Sequence, residues 1–140
     1  MMMMKPNKVL IAIILLAAVI GIALFVQSPK EKRVVSVDEA QKIIAEDSTV
    51  LILDVRTPEE YTGELGHIDH ALLIPVQELE ARINELEPYK GKTILAVCRT
   101  GRRSGTATDL LTKKGFKAKN VTGGMMKWNE EKLPVVIEKK

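Results

Sequence analysis

Hydrophobic positions change their period several times along this chain, and each change marks an expected element. Residues 9–26, VLIAIILLAAVIGIALFV, are all apolar or small and carry no charge. As a helix this run would be about 27 Å long at roughly 1.5 Å per residue, close to the thickness of a hydrocarbon core. It lacks a polar face, which argues against a core helix of a globular domain. Beyond residue 33 the pattern alternates. In VVSVDEAQKIIAE, Ser36 and Glu39 form a capping box, and Val37, Ala40, Ile43 and Ile44 repeat at helical spacing. VLILDV, residues 50–55, is a continuous apolar run suited to a strand buried on both faces. Pro58 then opens a short helix with acids in its first turn.

The alternation continues to the end. ALLIP gives a short strand stopped by Pro75. VQELEARINELEPY is expected to be an amphipathic helix with Val76, Leu79, Ile83 and Leu86 on one face. KTILAVC, residues 92–98, reads as a second buried strand, followed by a helix from Arg103 that stops at Gly115. FKAKNV is the next strand, and GGMMKWNEEKLP starts a last helix. Strands alternating with helices imply an α/β domain with a mostly parallel sheet and helices on both faces. Ligands of such sheets bind beyond the carboxyl ends of the strands, and Cys98 stands at such an end.

Composition narrows the function. The net charge is +3, but Lys5 and Lys8 precede the apolar run, and without them 19 basic residues face 18 acidic ones. That balance leaves no footprint for nucleic-acid binding, and aromatics at 4% offer few platforms for bases. One cysteine excludes an internal disulfide, and with two histidines it is too few for a zinc site. Residues 1–28 read as a signal peptide or a membrane anchor, and 29–33 as a charged linker to a domain over 34–138. The passable cleavage signal, Val26-Gln27-Ser28, precedes Pro29, a poor first residue, so a retained anchor in the bilayer is favoured. Positive charge flanks both sides, at Lys5, Lys8, Lys30, Lys32 and Arg33. The domain is expected outside the cytoplasm; a cleaved, secreted form and a cytoplasmic orientation are the alternatives.

The chemistry concentrates in VCRTGRRSG, residues 97–105. A strand delivers Cys98 to a turn where a helix begins. Unpaired N–H groups at that helix start, with the charges of Arg99, Arg102 and Arg103, favour thiolate over thiol. Gly101 and Gly105 let backbone N–H groups converge as in an anion nest, and Thr100 and Ser104 offer hydroxyls. A cysteine after an apolar strand is commonly a small buried hydrophobe. Three arginines and a glycine immediately after it favour a nucleophile in an anion cradle instead.

Four segments in order, LDVRTPEEY (53–61), GHIDHALLIP (66–75), CRTGRRS (98–104) and GGMMKW (123–128), make residues 34–134 resemble a rhodanese-like single-domain sulfurtransferase. The resemblance implies an open, mostly parallel five-stranded sheet with helices on both faces, preceded here by one hydrophobic helix. It implies that Cys98 takes sulfane sulfur from a small anionic donor such as thiosulfate. The resulting persulfide passes its sulfur to a thiol or cyanide acceptor, with no cofactor or metal. Arg99, Thr100, Gly101, Arg102 and Arg103 would bind substrate, and Asp54 and Arg56 would support the site. His67 matches the family's Gly-His-Ile and is expected to pack and hydrogen-bond. His70 and Leu73 depart from the family pattern, where glycine and asparagine are frequent; a surface turn is expected at His70.

Other functions compete. A Cys-x5-Arg phosphatase needs arginine six positions after the cysteine, where this chain has Ser104; Arg103 is five after. A membrane-tethered persulfide carrier or docking module, without turnover on small acceptors, would use the same cysteine. A thiol redox sensor would exploit an oxidation-prone thiolate, although the chain holds no resolving cysteine.

Overall fold

The two most apolar strands set the frame. Leu51–Asp54 (β2) and Thr93–Val97 (β4) pair in parallel, Leu51 opposite Ile94 and Asp54 opposite Val97. Their side chains alternate between two cores. Leu51, Leu53, Ile94 and Cys98 enter one cluster; Ile52, Leu95 and Val97 enter the other. A strand covered on both sides has no polar face, which is why these runs are apolar throughout. The computed structural model that gives this arrangement describes residues 7–26 and 31–139.

The other strands are Val34–Val35 (β1), Leu72–Leu73 (β3) and Lys117–Val121 (β5). The sheet order is β1-β5-β4-β2-β3, and every pairing within it is parallel. The five-stranded parallel α/β sheet expected above is therefore present. The carboxyl ends of β2 and β4, the neighbouring strands at its centre, carry Asp54 and Cys98 to the same rim.

Helices cover both faces. Val37–Glu46 (α2) begins with the expected capping box: the Ser36 hydroxyl accepts from Glu39 N–H, and the Glu39 carboxylate accepts from Ser36 N–H. Through Val37 and Ala40, α2 shares a core with Met125 and Trp128 of Gly124–Glu130 (α5). Ala107 and Leu111 of Arg102–Lys113 (α4) fill the opposite core with Leu79 and Leu86. A short helix, Pro58–Tyr61 (α3), follows β2 with Thr57 as its cap.

Two expectations are corrected. The helix over residues 76–89 does not form. Turns run to Arg82, and Ile83–Tyr89 is a 3-10 helix with Pro88 inside it. Pro88 lacks the N–H that would reach the Asn84 carbonyl, which removes the α-helical ladder from the last turn of this segment. The apolar face survives the change, with Leu79 and Leu86 fully buried and Val76 and Ile83 packed beside them. The sequence pattern does not announce the short strand β1. Its two residues pair with Asn120 and Val121, too brief a stretch to announce a period.

The chain divides into two compact units, residues 1–31 and the part beginning at Lys32. In the first, Lys8–Val26 is helical (α1), with the Asn7 side chain accepting from Val9 N–H at its start. Side chains are described only for residues 8–19 of this helix. Among the described residues no helix is long and apolar enough to cross a membrane, so the bilayer anchor expected over 9–26 gains no support from them. The charge at Lys5, the junction after Ser28 and the linker positions 29 and 30 lie outside the described residues.

Candidate active site

The chain leaves β4 at Val97 and turns at once. Gly101 adopts φ +103, outside the range L side chains favour, and a Cβ there would press on Gly123 N at 3.2 Å. This turn aims Gly101 N–H back at Cys98 Sγ, 3.0 Å away. The Ser104 hydroxyl, in the first turn of α4, lies 3.3 Å from the same sulfur. Behind the loop, N–H groups of α5's first turn reach carbonyl oxygens: Met125 N–H donates to Cys98 O at 2.8 Å and Met126 N–H to Arg99 O at 3.0 Å. The close approach requires Gly124, because any Cβ there would strike the Cys98 carbonyl oxygen and the Arg99 backbone.

Cys98 is 1% exposed, so its sulfur is recessed at the base of the loop. Burial pushes its pKa up. The Ser104 hydroxyl and the backbone N–H groups of Ser104, Gly101 and Thr100 more than offset that, and the thiol titrates below its ordinary range. The thiolate is thus favoured as expected, but chiefly by neutral donors. The arginines have other places. Arg103 makes a two-pronged bridge to Glu60, at 2.7 and 2.8 Å. That bridge, opposed by partial burial, holds the Glu60 carboxyl below the usual carboxylate range. Arg99, Thr100 and Arg102 are exposed. Arg99 joins Arg56, Glu59, Glu60, Gly63, Glu64 and Leu65 around a recess of about 240 Å³.

Asp54 and Arg56 form a buried ion pair at the end of β2, with Asp54 Oδ2 2.7 Å from an Arg56 terminal nitrogen and both side chains at most 1% exposed. Arg56 also donates to Glu60 O at 3.2 Å and to Gly66 O at 2.7 Å. One buried guanidinium therefore clamps the short helix α3 that carries Glu60, and Glu60 in turn holds Arg103. The sequence identified Asp54, Arg56 and Arg103 but not Glu60, which pairs across 43 positions. It also missed Asn120. The Asn120 amide stands 2.7 Å from the Ser104 hydroxyl oxygen and donates to Gly101 O at 3.0 Å. Gly105 lies inside α4 rather than in the turn, and its missing side chain leaves room for that amide.

Strand, recessed thiol, glycine turn and helix recur in proteins of known kind. The Rhodanese-like domain family matches residues 36–131. The chain belongs to that family. Among its rhodanese-like relatives, YrkF of Bacillus subtilis, named as a proposed sulfur carrier, is 39% identical over 95 residues. The alignment covers 67% of this chain but 49% of YrkF, about half of that protein's length. The thiosulfate sulfurtransferase PspE of Escherichia coli is 37% identical over 73 residues, 52% of this chain and 68% of PspE. The crystal structure of a rhodanese-related protein from Thermoplasma volcanium superposes with a TM-score of 0.68 at 32% identity, covering 76% of this chain and 99% of that one.

Two side chains at the margins of the rhodanese-like site behave as expected. The His67 ring stacks on Tyr61 at 3.8 Å, and its Nδ1 lies 3.1 Å from Tyr61 O. His70 is exposed in a turn at φ +60, a conformation that glycine adopts without strain. Trp128 is buried and donates to Pro134 O, and Met125 packs beside it. Met126, by contrast, is 41% exposed.

Proposed function

We propose that this rhodanese-like protein is a sulfurtransferase that carries sulfane sulfur on Cys98. Kinship with proteins named as sulfurtransferases supports sulfur transfer in general. The observation that carries the finer reading is the pair of donors, Gly101 N–H and Ser104 O–H, aimed at a buried sulfur. In the first step the Cys98 thiolate attacks the outer sulfur of thiosulfate. The S–S bond of thiosulfate breaks, and sulfite leaves with the bonding electrons. Cys98 then bears an outer sulfur anion, which the exposed N–H groups of the loop and the charge of Arg99 favour. In the second step a thiolate or cyanide attacks that outer sulfur, and the Cys98 thiolate departs. Arg99, exposed and next to Cys98 in the chain, is the arginine this reading assigns to meet an anionic donor.

Incubating the protein with thiosulfate should add about 32 Da to Cys98, one sulfur atom, as the covalent step requires. Cyanide should then release thiocyanate, and Cys98→Ser should abolish both. Failure to load from thiosulfate and from organic persulfides alike would remove the reading.

Kinship with YrkF favours a second reading, a carrier that loads but hands its sulfur only to a protein. The mass gain would then persist in the presence of cyanide. For location, we propose that residues 9–26 tether the domain to a bilayer with the domain outside the cytoplasm, on the strength of their uninterrupted apolar sequence. Extraction of the membrane fraction with alkaline carbonate tests the tether. A cleaved form would appear in the soluble fraction without these residues, and protease protection in intact cells reports the side.

A further inference from the structure

The Ser104 hydroxyl has two neighbours that call for its proton and a single proton to give. Asn120 Oδ1 is 2.7 Å away and Cys98 Sγ 3.3 Å. The direction of the Asn120 amide is fixed by its other end. Its nitrogen faces the Gly101 carbonyl at 3.0 Å, which can only accept, so the amide oxygen must face Ser104. Asn120 sits on β5, and Ser104 and Gly101 belong to the start of α4. Asn120 therefore touches two of the residues that donate to the sulfur, Ser104 and Gly101.

We propose that Asn120 is a positioning residue that competes with Cys98 for the Ser104 proton and thereby tunes how tightly the sulfur is held. With Cys98 protonated, the Ser104 O–H points to Asn120 Oδ1 and its lone pair accepts the S–H. When Cys98 ionises, its proton leaves to solvent, and Ser104 rotates to donate to Sγ, releasing Asn120 Oδ1. Sulfur transfer, on the reading above, makes opposite demands on this atom. As a nucleophile it gains from a higher pKa, and as a leaving group from a lower one. A hydroxyl with two acceptors follows the charge: it turns to Asn120 as the attacking Sγ becomes the neutral inner sulfur of the persulfide, and back to Sγ as the thiolate departs. Gly105 fits the arrangement, since a Cβ there would come within 3.3 Å of the Asn120 amide nitrogen.

The test is the pH dependence of Cys98 alkylation by iodoacetamide in the full chain. It needs no sulfur donor, so it stands apart from the loading experiment. Four proteins form a cycle: wild type, Ser104→Ala, Asn120→Ala and the double variant. The nearby charges stay constant throughout: Arg103 with Glu60, the Asp54–Arg56 pair, and Arg99 and Arg102. Ser104→Ala should raise the midpoint by about one unit, the loss of one charge-assisted hydrogen bond. Asn120→Ala should lower it by about half a unit when Ser104 is present, on the same scale, and leave it unmoved in the Ser104→Ala background. Gly105→Ala, which displaces the amide while favouring helix, should shift the midpoint downward by less. A merely structural Asn120 would loosen Gly101 instead. An upward shift, or an equal shift in both backgrounds, would overturn the proposal.

Discussion

The loops that leave β2 and β4 start from paired residues, Asp54 beside Val97, yet they use charge in opposite ways. After β2 the charge is buried and paired: Arg56 holds a carboxylate and two carbonyls. After β4 the arginines stay outside or pair with Glu60, and the buried group is a thiol supported by N–H and O–H donors. The first loop spends a full charge on rigidity. The second draws its thiol's pKa down with neutral donors, without burying a cation against the sulfur. A thiolate held by neutral dipoles retains its negative charge for chemistry, whereas one held in a tight ion pair would be less free to attack.

The largest effect should come from breaking the buried pair. Arg56→Ala leaves Asp54 charged and without its guanidinium at the end of β2, and about 3–5 kcal/mol of stability should be lost in urea unfolding. Gly101→Ala acts on the other loop. The positive φ alone should cost about 1–2 kcal/mol, and the misaimed N–H should raise the pH midpoint of Cys98 alkylation. Retention of the wild-type midpoint would show that the Gly101 donor does little for the sulfur.

Glu60 joins the two loops, and its effect should be smaller. Glu60→Gln removes the partly exposed bridge to Arg103, worth about 0.5–1 kcal/mol near neutral pH. Because Arg103 lowers the carboxyl's folded pKa, that contribution is fully present above the ordinary carboxylate range, about 4.3. It is lost as pH falls through the depressed value. Wild type and Glu60→Gln should therefore converge in stability in acid and separate above it; a gap that persists in acid would assign the effect to packing. Arg102→Ala, at an exposed position, should change stability by no more than about 0.5 kcal/mol. If it nonetheless impairs thiosulfate loading, the outer arginines act on substrate approach alone.

Local chemistry explains what could be read in advance. Ser36 and Glu39 are three residues apart and cap one helix, so the box was visible. The runs at 50–55 and 92–98 declared themselves because both faces of those strands are buried. Residues 76–89 misled because turns followed by a 3-10 helix bury Leu79 and Leu86 at a spacing an α-helix would also use; Pro88 was the warning. In the site, Cys98 and Gly101 follow each other in sequence and were legible together. Glu60 and Asn120 were not, since each meets the start of α4 only after segments 43 and 16 positions away in the chain have been folded against it.

The bonds from Met125 and Met126 to the carbonyls of Cys98 and Arg99 have a consequence for how the loop meets an anion. Every peptide has a negative end, and in a tight turn some of those ends would ordinarily face inward. Here the last helix gathers two of them on the rear side, so the sulfur looks out past peptide hydrogens. On the proposed reading, a negative atom arriving at or leaving Cys98 would meet a turn with two of its repulsive ends faced to the wall, and residues 124–126 keep them there.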